Sequence, residues 1–272
     1  MCPHCRAFIT DKDRVCPYCN ERVGPRAVER RSDAPILGGF IPHARFTTMM
    51  ILLINVGLYI ATVLYSMRSG TSDAVMNLDM QTLYAFGAKF RPAIAEGQWW
   101  RLVTAGFLHG GLLHIGMNMW VLFDLGAQVE QVYGTSRMLV IYFISSVCGF
   151  LSSTVFSDAL SIGASAALFG LIGAMLAIGI KHRSSAAGSA IRGMYMRWVI
   201  YGLIFSLIPG IDMAAHIGGL AGGFAVGYVA GLPRLQAASG SERFWQAASW
   251  FCILLTAVSF LKWYLWFSHS GG

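Results

Sequence analysis

Three polar segments set within apolar stretches carry the residue types of an acyl-transfer centre. SIGASAALFG contains Ser165, DMAAHIGGLAGG contains His216, and HGGLLHIGMN contains His114 and Asn118. The last two residues are four positions apart, so they lie on one face of a helix. Polar side chains inside hydrocarbon are costly and usually face a cavity or a functional site. A serine nucleophile, a histidine base and hydrogen-bond donors for an oxyanion together indicate hydrolysis of a peptide bond within a membrane.

The composition of the chain indicates that lipid is its main solvent. Of the 272 residues, 56% are hydrophobic and only 12% are charged, whereas a soluble domain has about 25% charged residues. The net charge of +7 is concentrated in short segments between apolar stretches, which is a signal of membrane topology. Because long basic runs with interleaved aromatic residues are absent, we expect no nucleic-acid partner.

Seven apolar stretches have about the twenty residues that a helix needs to cross a bilayer. They cover residues 47–67, 112–130, 137–156, 164–180, 194–209, 213–231 and 245–267. The sequence therefore predicts an all-α polytopic membrane protein. Its parts are a six-helix membrane domain over 47–231, then a connecting loop and a seventh transmembrane helix over 232–272.

Charges between these stretches predict the orientation of the chain. The connection between the fourth and fifth stretches has no acidic residue and is basic, with Lys181, Arg183, Arg192 and Arg197, which favours the cytoplasmic side. The N-terminus is then cytoplasmic, and we expect a multi-pass protein of a bacterial plasma (inner) membrane. Stretches two, four and six then begin at the outer face. His114, Ser165 and His216 each fall within about one helical turn of those beginnings, at one depth of about 5 Å below the outer face.

The first twenty residues predict a small metal-binding head. MCPHCRAFITDKDRVCPYCN has two C-P-x-C knuckles, a spacing that suits a zinc ribbon over residues 1–23, with Cys2, Cys5, Cys16 and Cys19 as ligands of a structural Zn²⁺. His4 in place of one thiolate and a pair of disulfides are the alternatives. A linker rich in proline and glycine follows over 24–46. The head could bind a cytoplasmic partner, which the sequence does not identify.

Small residues recur every four positions in two of the stretches and predict close helix packing. They are Gly219, Gly223, Gly227 and Gly231 in the sixth stretch, and Ala166, Gly170 and Ala174 in the fourth. If these faces meet, Ser165 and His216 come within hydrogen-bond reach.

Taken together, these segments resemble the rhomboid family of intramembrane serine proteases. GASAALFG is similar to the family's serine motif, HGGLLHIGMN to its His-x-x-x-Asn segment and AAHIGGLAGG to its AHxGG helix. GQWWRLVTAGFLHG resembles the Trp-Arg segment that ends the long outer loop. The resemblance runs from about residue 47 to 231 and implies a six-helix bundle, to which the seventh helix is added. The zinc head lies outside it.

By that resemblance Ser165 is the nucleophile and His216 the general base of a dyad that needs no cofactor. His114 and Asn118, with the Ser165 backbone N–H, would form the oxyanion hole. Phe169 would place its ring against the base. The expected substrates are single-span transmembrane proteins, cut near the outer face.

Further residues near the motifs leave alternatives open. Trp100 and Arg101 would hold the outer loop in place, and His109 is either a structural hydrogen-bonding residue or a contributor to the site. Asp212 is either the third member of a catalytic triad or an exposed loop residue. The family usually has glycine where this chain has Ala166, which could crowd the oxyanion hole. Ala166 keeps open an alternative function, an inactive rhomboid-like protein that binds transmembrane clients. A transporter or channel is a further alternative.

Overall fold

The computed structural model describes residues 2, 4–8, 15–21, 45–231 and 239–269. The chain divides into two compact units, Met1–His43 and Ala44–Gly272. All but the last two residues of the predicted linker 24–46 lie outside the described residues, as do residues 232–238 of the predicted connecting loop.

The two cysteine knuckles of the first unit share one backbone pattern. The amide of Arg6 donates to the carbonyl of Cys2 (3.0 Å), and the amide of Asn20 donates to that of Cys16 (2.9 Å). Arg6 and Asn20 both have positive φ, 61° and 55°, which is unfavourable for residues other than glycine and is least so for asparagine. The same left-handed residue after each second cysteine thus closes two equivalent turns.

The second unit is built from helices; its described residues form no β-strand, and Lys89 and Ser161 form an isolated antiparallel bridge. In chain order the helices are α1 (Phe46–Arg68), α2 (Met80–Ala85), α3 (Arg91–Ala95), α4 (Arg101–Thr104), α5 (Leu112–Val121), α6 (Ala127–Tyr133), α7 (Thr135–Phe156), α8 (Ser165–Lys181), α9 (Ala186–Phe205), α10 (Met213–Ala230) and α11 (Ser239–His269). The prediction of an all-α polytopic membrane protein is confirmed.

Among the described residues, four helices are long and apolar enough to cross a membrane: α1, α7, α10 and α11. Helix α8 is apolar but has only 17 residues. Every residue of α8 from Ala166 to Gly179 is buried, because α7, α9 and α10 pack around it. The protein is therefore an integral membrane protein, and the count of seven spans stays a prediction.

Two of the predicted spans differ in detail from the helices. The stretch 112–130 contains a π-helical turn over Leu122–Gly126 that joins α5 to α6. The stretch 194–209 is part of a longer helix, since α9 begins at Ala186, where the Ser185 hydroxyl accepts the amide of Gly188 (3.0 Å). Arg192 and Arg197 consequently lie within α9 and not in the connection before it. The predicted position of these two arginines was wrong, because a serine cap at Ser185 starts the helix before the apolar stretch begins.

The small-residue stripes of α8 and α10 face each other at backbone contact. A Cβ atom added at Gly219 would lie 2.0 Å from the Ala166 carbonyl oxygen, and one added at Gly223 would lie 2.0 Å from the Gly170 carbonyl oxygen. Any side chain at either glycine would therefore force the helices apart. This contact sets the distance between the first turns of α8 and α10.

Helix α11 is attached to the rest of the bundle near both of its ends. Arg137, buried on α7, donates two hydrogen bonds to the Glu242 carboxylate (2.9 and 2.7 Å). Near the other end, Trp263 Nε1 donates to the carbonyl of Ala85 (2.8 Å), which is the last residue of α2. Helix α11 is thus fixed both to α7 and to the connection between α1 and α5, which is the predicted outer loop.

Candidate active site

A cavity of about 1360 Å³ lies between α5, α8, α9 and α10, and the candidate catalytic residues line it. Ser165, His114, Asn118 and His216 meet there, although they come from three helices and are up to 102 positions apart (114 to 216). Much of the remaining wall is apolar and includes side chains of α5 and α9, among them Met117, Val121, Trp198, Tyr201 and Phe205. A cavity with a few convergent polar groups in a mostly apolar lining is the usual form of a binding or active site.

Ser165 and His216 are in direct contact. Ser165 is the first residue of α8, and its Oγ lies 2.8 Å from His216 Nε2. The imidazole is buried, with 4% of its surface exposed, and the Phe169 ring stacks on it at 4.2 Å between centroids and 15° between planes. This geometry allows a nucleophile–base pair in which the aromatic ring fixes the plane of the base.

Asp212 positions His216 through the backbone of α10. Its carboxylate accepts the amide of Ala215 (3.0 Å) as the N-cap of the helix and also accepts the hydroxyl of Ser153 on α7. It is half-buried, so it is not an exposed loop residue. The second imidazole nitrogen, Nδ1, instead contacts Ser206 Oγ at 2.6 Å. Ser206 was not anticipated, since no motif or spacing links it to His216.

His114 and Asn118 face the same cavity from α5. The Gly110 amide donates a long hydrogen bond to His114 Nδ1 (3.3 Å), which leaves the proton of the neutral ring on Nε2. A Cβ atom added at Gly163 would lie 2.8 Å from that Nε2 and 3.5 Å from Ser165 Oγ. His114 therefore presents an N–H donor beside the nucleophile.

Asn118 is held against its own helix. Its Nδ2 donates one hydrogen to the carbonyl of His114 (2.8 Å), and an amide nitrogen has a second hydrogen to donate. The side chain is buried and lines the cavity, so this second hydrogen is available to a bound group.

His109 lies behind His114 and does not reach the cavity wall. Its ring is fully buried, its two nitrogens have no hydrogen-bond partner within the described residues, and it packs edge-on against the His114 ring at 5.1 Å. Burial, with a smaller effect of His114, lowers the pKa of His109 to about 3. A neutral ring at physiological pH supports His114 by packing.

The methyl group of Ala166 is accommodated by a glycine on the neighbouring helix. A Cβ atom added at Gly149 of α7 would lie only 2.7 Å from the Ala166 Cβ and 2.7 Å from the Ala215 carbonyl oxygen. Ala166 therefore fills space that Gly149 leaves between α7, α8 and α10.

The outer loop is held by a buried arginine. The Arg101 guanidinium donates to the carbonyls of Tyr84 (2.8 Å) and Ala88 (2.9 Å). It also packs against the rings of Tyr84 and Trp266, 4.1 and 4.9 Å from their centroids. Lys89, also buried, donates to the carbonyls of Ser157 (2.6 Å) and Ala159 (3.0 Å), in the loop that leads to Ser165. The outer loop and the nucleophile loop are thereby joined.

Asp79 organises the same outer loop. Its carboxylate caps α2 by accepting the amide of Thr82 (2.7 Å), and it also accepts hydroxyls of Ser66, Thr71 and Thr82. Burial raises the pKa of Asp79, but these hydrogen bonds outweigh burial and lower it from 3.8 to about 2. The ionised carboxylate is thus the form that the folded loop favours.

Comparison with known families places these motifs in one domain. The family described as the Rhomboid domain matches residues 96–233, which is 138 of 272 residues and so just over half of the chain. The match includes α5 to α10 and hence every side chain of the candidate dyad and oxyanion hole.

Curated relatives from three kinds of organism are similar to a large part of this chain. The chain is 39% identical over 166 residues to "Rhomboid protease GluP" of Bacillus subtilis, covering 58% of this chain and 31% of that protein. It is 36% identical over 169 residues to "RHOMBOID-like protein 7" of Arabidopsis thaliana (61% and 54%), and 34% identical over 190 residues to "Rhomboid-like protease 2" of Toxoplasma gondii (68% and 65%). The matches span about a third to two thirds of the length of these relatives.

Proposed function

The chain belongs to the rhomboid family, and from that membership we propose that it is an intramembrane serine endopeptidase. Its substrates in this proposal are single-span transmembrane proteins, cleaved near the outer membrane face. The observation that carries the proposal is the 2.8 Å contact between Ser165 Oγ and His216 Nε2 in a cavity of about 1360 Å³.

The proposed reaction begins with attack of Ser165 Oγ on the substrate carbonyl carbon. His216 Nε2 takes the hydroxyl proton as the C–O bond forms, and later gives it to the leaving amine. The negative charge on the former carbonyl oxygen is stabilised by donors from His114 Nε2, Asn118 Nδ2 and the Ser165 amide. Water then attacks the acyl-enzyme by the same path, which regenerates Ser165 and releases the second product.

Cleavage of a tagged single-span reporter in lipid vesicles tests this proposal. The wild type should release a product that Ser165→Ala and His216→Ala do not, whereas Ser259→Ala, a buried serine on α11, should behave as the wild type. Release by Ser165→Ala would refute the nucleophile. A wild type that retains the reporter without cutting any of several sequences would favour the inactive, client-binding alternative.

We also propose that the head binds one structural Zn²⁺ through Cys2, Cys5, Cys16 and Cys19. Their four Sγ atoms lie within 4.8 Å of one another, with Cys2–Cys19 and Cys5–Cys16 both at 3.6 Å. Tetrahedral zinc with Zn–S bonds of about 2.3 Å needs sulfurs about 3.8 Å apart, so the donor set fits the ion. The ion would stabilise a head that has little apolar core of its own.

Metal analysis of the purified protein tests the zinc proposal. The wild type and Cys148→Ser, altered in α7, should each contain about one zinc per chain, as expected for one four-thiolate site. The double variant Cys5→Ser, Cys16→Ser should contain none, and a wild type without zinc and with an intact head would contradict the site.

For the orientation we propose a cytoplasmic N-terminus, in a bacterial plasma membrane. A single cysteine placed at Ser184, in the turn between α8 and α9, should then react with a membrane-impermeant thiol reagent only after the cells are opened. Labelling in intact cells would show the opposite topology and would place Ser165 near the cytoplasmic face.

A further inference from the structure

The base of the candidate dyad has a second hydrogen-bond partner on a different helix. Ser206 follows the last residue of α9, is 3% exposed, and places its Oγ 2.6 Å from His216 Nδ1. The same Oγ lies 2.7 Å from the carbonyl oxygen of Gly202, one turn earlier in α9. An imidazole with a partner on each nitrogen has its tautomer decided by those partners.

Only one arrangement of protons gives each hydroxyl in this group an acceptor among the described residues. If Ser206 donates to the Gly202 carbonyl, it accepts from His216 Nδ1–H, and Nε2 is free to accept from Ser165. If Ser206 instead donates to Nδ1, then Nε2–H points at Ser165 Oγ. The Ser165 hydroxyl then has no acceptor among the described residues. In that second arrangement His216 Nε2 already carries a proton and cannot take the one on Ser165, so the first arrangement is the one that the proposed general base requires.

We propose that Ser206 is a positioning residue, whose hydroxyl oxygen holds His216 as the Nδ1–H tautomer with Nε2 turned to Ser165. The proposal deepens the serine-protease function and rests on it. A neutral hydroxyl thus occupies the place in which a triad has a carboxylate, while Asp212 is engaged in capping α10.

The last turn of α9 also supports the face of the imidazole. A Cβ atom added at Gly202 would lie 2.6 Å from Phe169 Cζ, so the missing side chain at Gly202 leaves the space that the Phe169 ring occupies. Phe169 in turn stacks on His216. Gly202 therefore leaves room for the ring that stacks on the face of His216, and Ser206 bonds to the Nδ1 edge of the same imidazole.

The tautomer can be measured without any substrate. Protein with ¹⁵N-labelled histidine should show for His216 a protonated Nδ1 and an unprotonated Nε2, assigned by comparison with His216→Gln. Ser206→Thr, which keeps the hydroxyl, should retain that pattern, and Ser206→Ala should shift it towards the other tautomer. A wild type with its proton on Nε2, or a Ser206→Ala spectrum identical to the wild type, would overturn the proposal.

Cleavage kinetics give an independent readout. Ser206→Ala should lower kcat by about 3- to 10-fold, the usual worth of one neutral hydrogen bond, with KM unchanged because Ser206 holds the base and not the substrate. Ser206→Thr should restore the rate. Ser259→Ala is the matched control, since it removes another buried hydroxyl bonded to the carbonyl four residues earlier (2.7 Å). Equal losses of kcat in Ser206→Ala and Ser259→Ala would reduce Ser206 to a packing role.

The two proposals can fail separately. A wild type that cuts no reporter but shows the Nδ1–H tautomer, lost in Ser206→Ala, would refute the protease function and leave the positioning role. An active wild type with the opposite tautomer would do the reverse.

Discussion

Substitution of Gly219 by alanine should disable the dyad by separating two backbones. The added Cβ would lie 2.0 Å from the Ala166 carbonyl oxygen, whereas carbon–oxygen contacts between helices are about 3.3 Å at closest. Relief of the clash therefore requires α8 and α10 to move apart by about 1.3 Å. Gly219 lies one turn after His216 and Ala166 directly follows Ser165, so the 2.8 Å bond between the dyad atoms would lengthen to about 4 Å, beyond hydrogen-bond range.

The expected magnitude follows from the loss of general-base catalysis. A positioned base contributes about 10²- to 10⁴-fold, and overpacking of a core costs about 1–3 kcal/mol of stability. Gly219→Ala should therefore fold, with a lowered unfolding temperature, and should react with a fluorophosphonate probe at least about 10²-fold more slowly than the wild type. The probe reports on how strongly His216 activates Ser165, so the assay does not depend on the choice of substrate.

Two companion variants test the cause of the loss. Gly57→Ala on α1 adds the same methyl group where nothing lies within 4 Å, so it should label as the wild type. Ala166→Gly combined with Gly219→Ala should not recover labelling, because the obstructing atom is a backbone oxygen. A Gly219→Ala protein that labels at the wild-type rate would refute the reasoning.

Three further predictions concern the loops and α11. Gly163→Ala should reduce cleavage by about 10²-fold or more, because its methyl would lie 2.8 Å from His114 Nε2. Gly97→Ala, also at positive φ but in open space, controls for backbone strain. Equal effects of the two variants would exclude obstruction of His114 as the cause. Asp79→Asn should lower the unfolding temperature at neutral pH and have little effect near pH 2, because a depressed pKa gives stability that is present above about pH 4 and is lost as the pH falls through the folded-state pKa. A thermal-unfolding difference that does not shrink between pH 6 and pH 2 would contradict this. Trp263→Phe should keep the ring packing and cost about 1 kcal/mol through loss of its hydrogen bond, and an unchanged unfolding temperature would show that this bond is dispensable.

The architecture and the family could be predicted because they depend on features that are local in the sequence. Apolar length is a property of a single stretch, and each rhomboid-like motif is a run of about ten residues. The small-residue stripes also predicted which faces of α8 and α10 meet. The start of α9 was misplaced because hydropathy does not detect a helix turn capped by Ser185.

Other parts of the site depend on contacts between helices that no single segment reveals. Ser206 reaches His216 across a bend in the chain, and the fit of Gly149 to Ala166 joins α7 to α8. A glycine or serine within an apolar helix has several possible reasons to be there, so composition alone cannot assign its partner. The serine motif alone does not show that Gly149 of α7 leaves space for the Ala166 methyl group, so the sequence suggests crowding of the oxyanion hole.

The two attachments of α11 have a consequence for the membrane around the protein. Glu242 and Trp263 are 21 residues apart on one continuous helix, a distance of about 32 Å along the axis. That is close to the hydrocarbon thickness of a typical bilayer, about 30 Å. The contact to α7 and the contact to the outer loop are therefore separated along α11 by about the thickness of the hydrocarbon core. In a thinner bilayer, either the surrounding lipid thickens or α11 tilts together with the elements that it contacts, because the helix cannot shorten without releasing one of the two contacts.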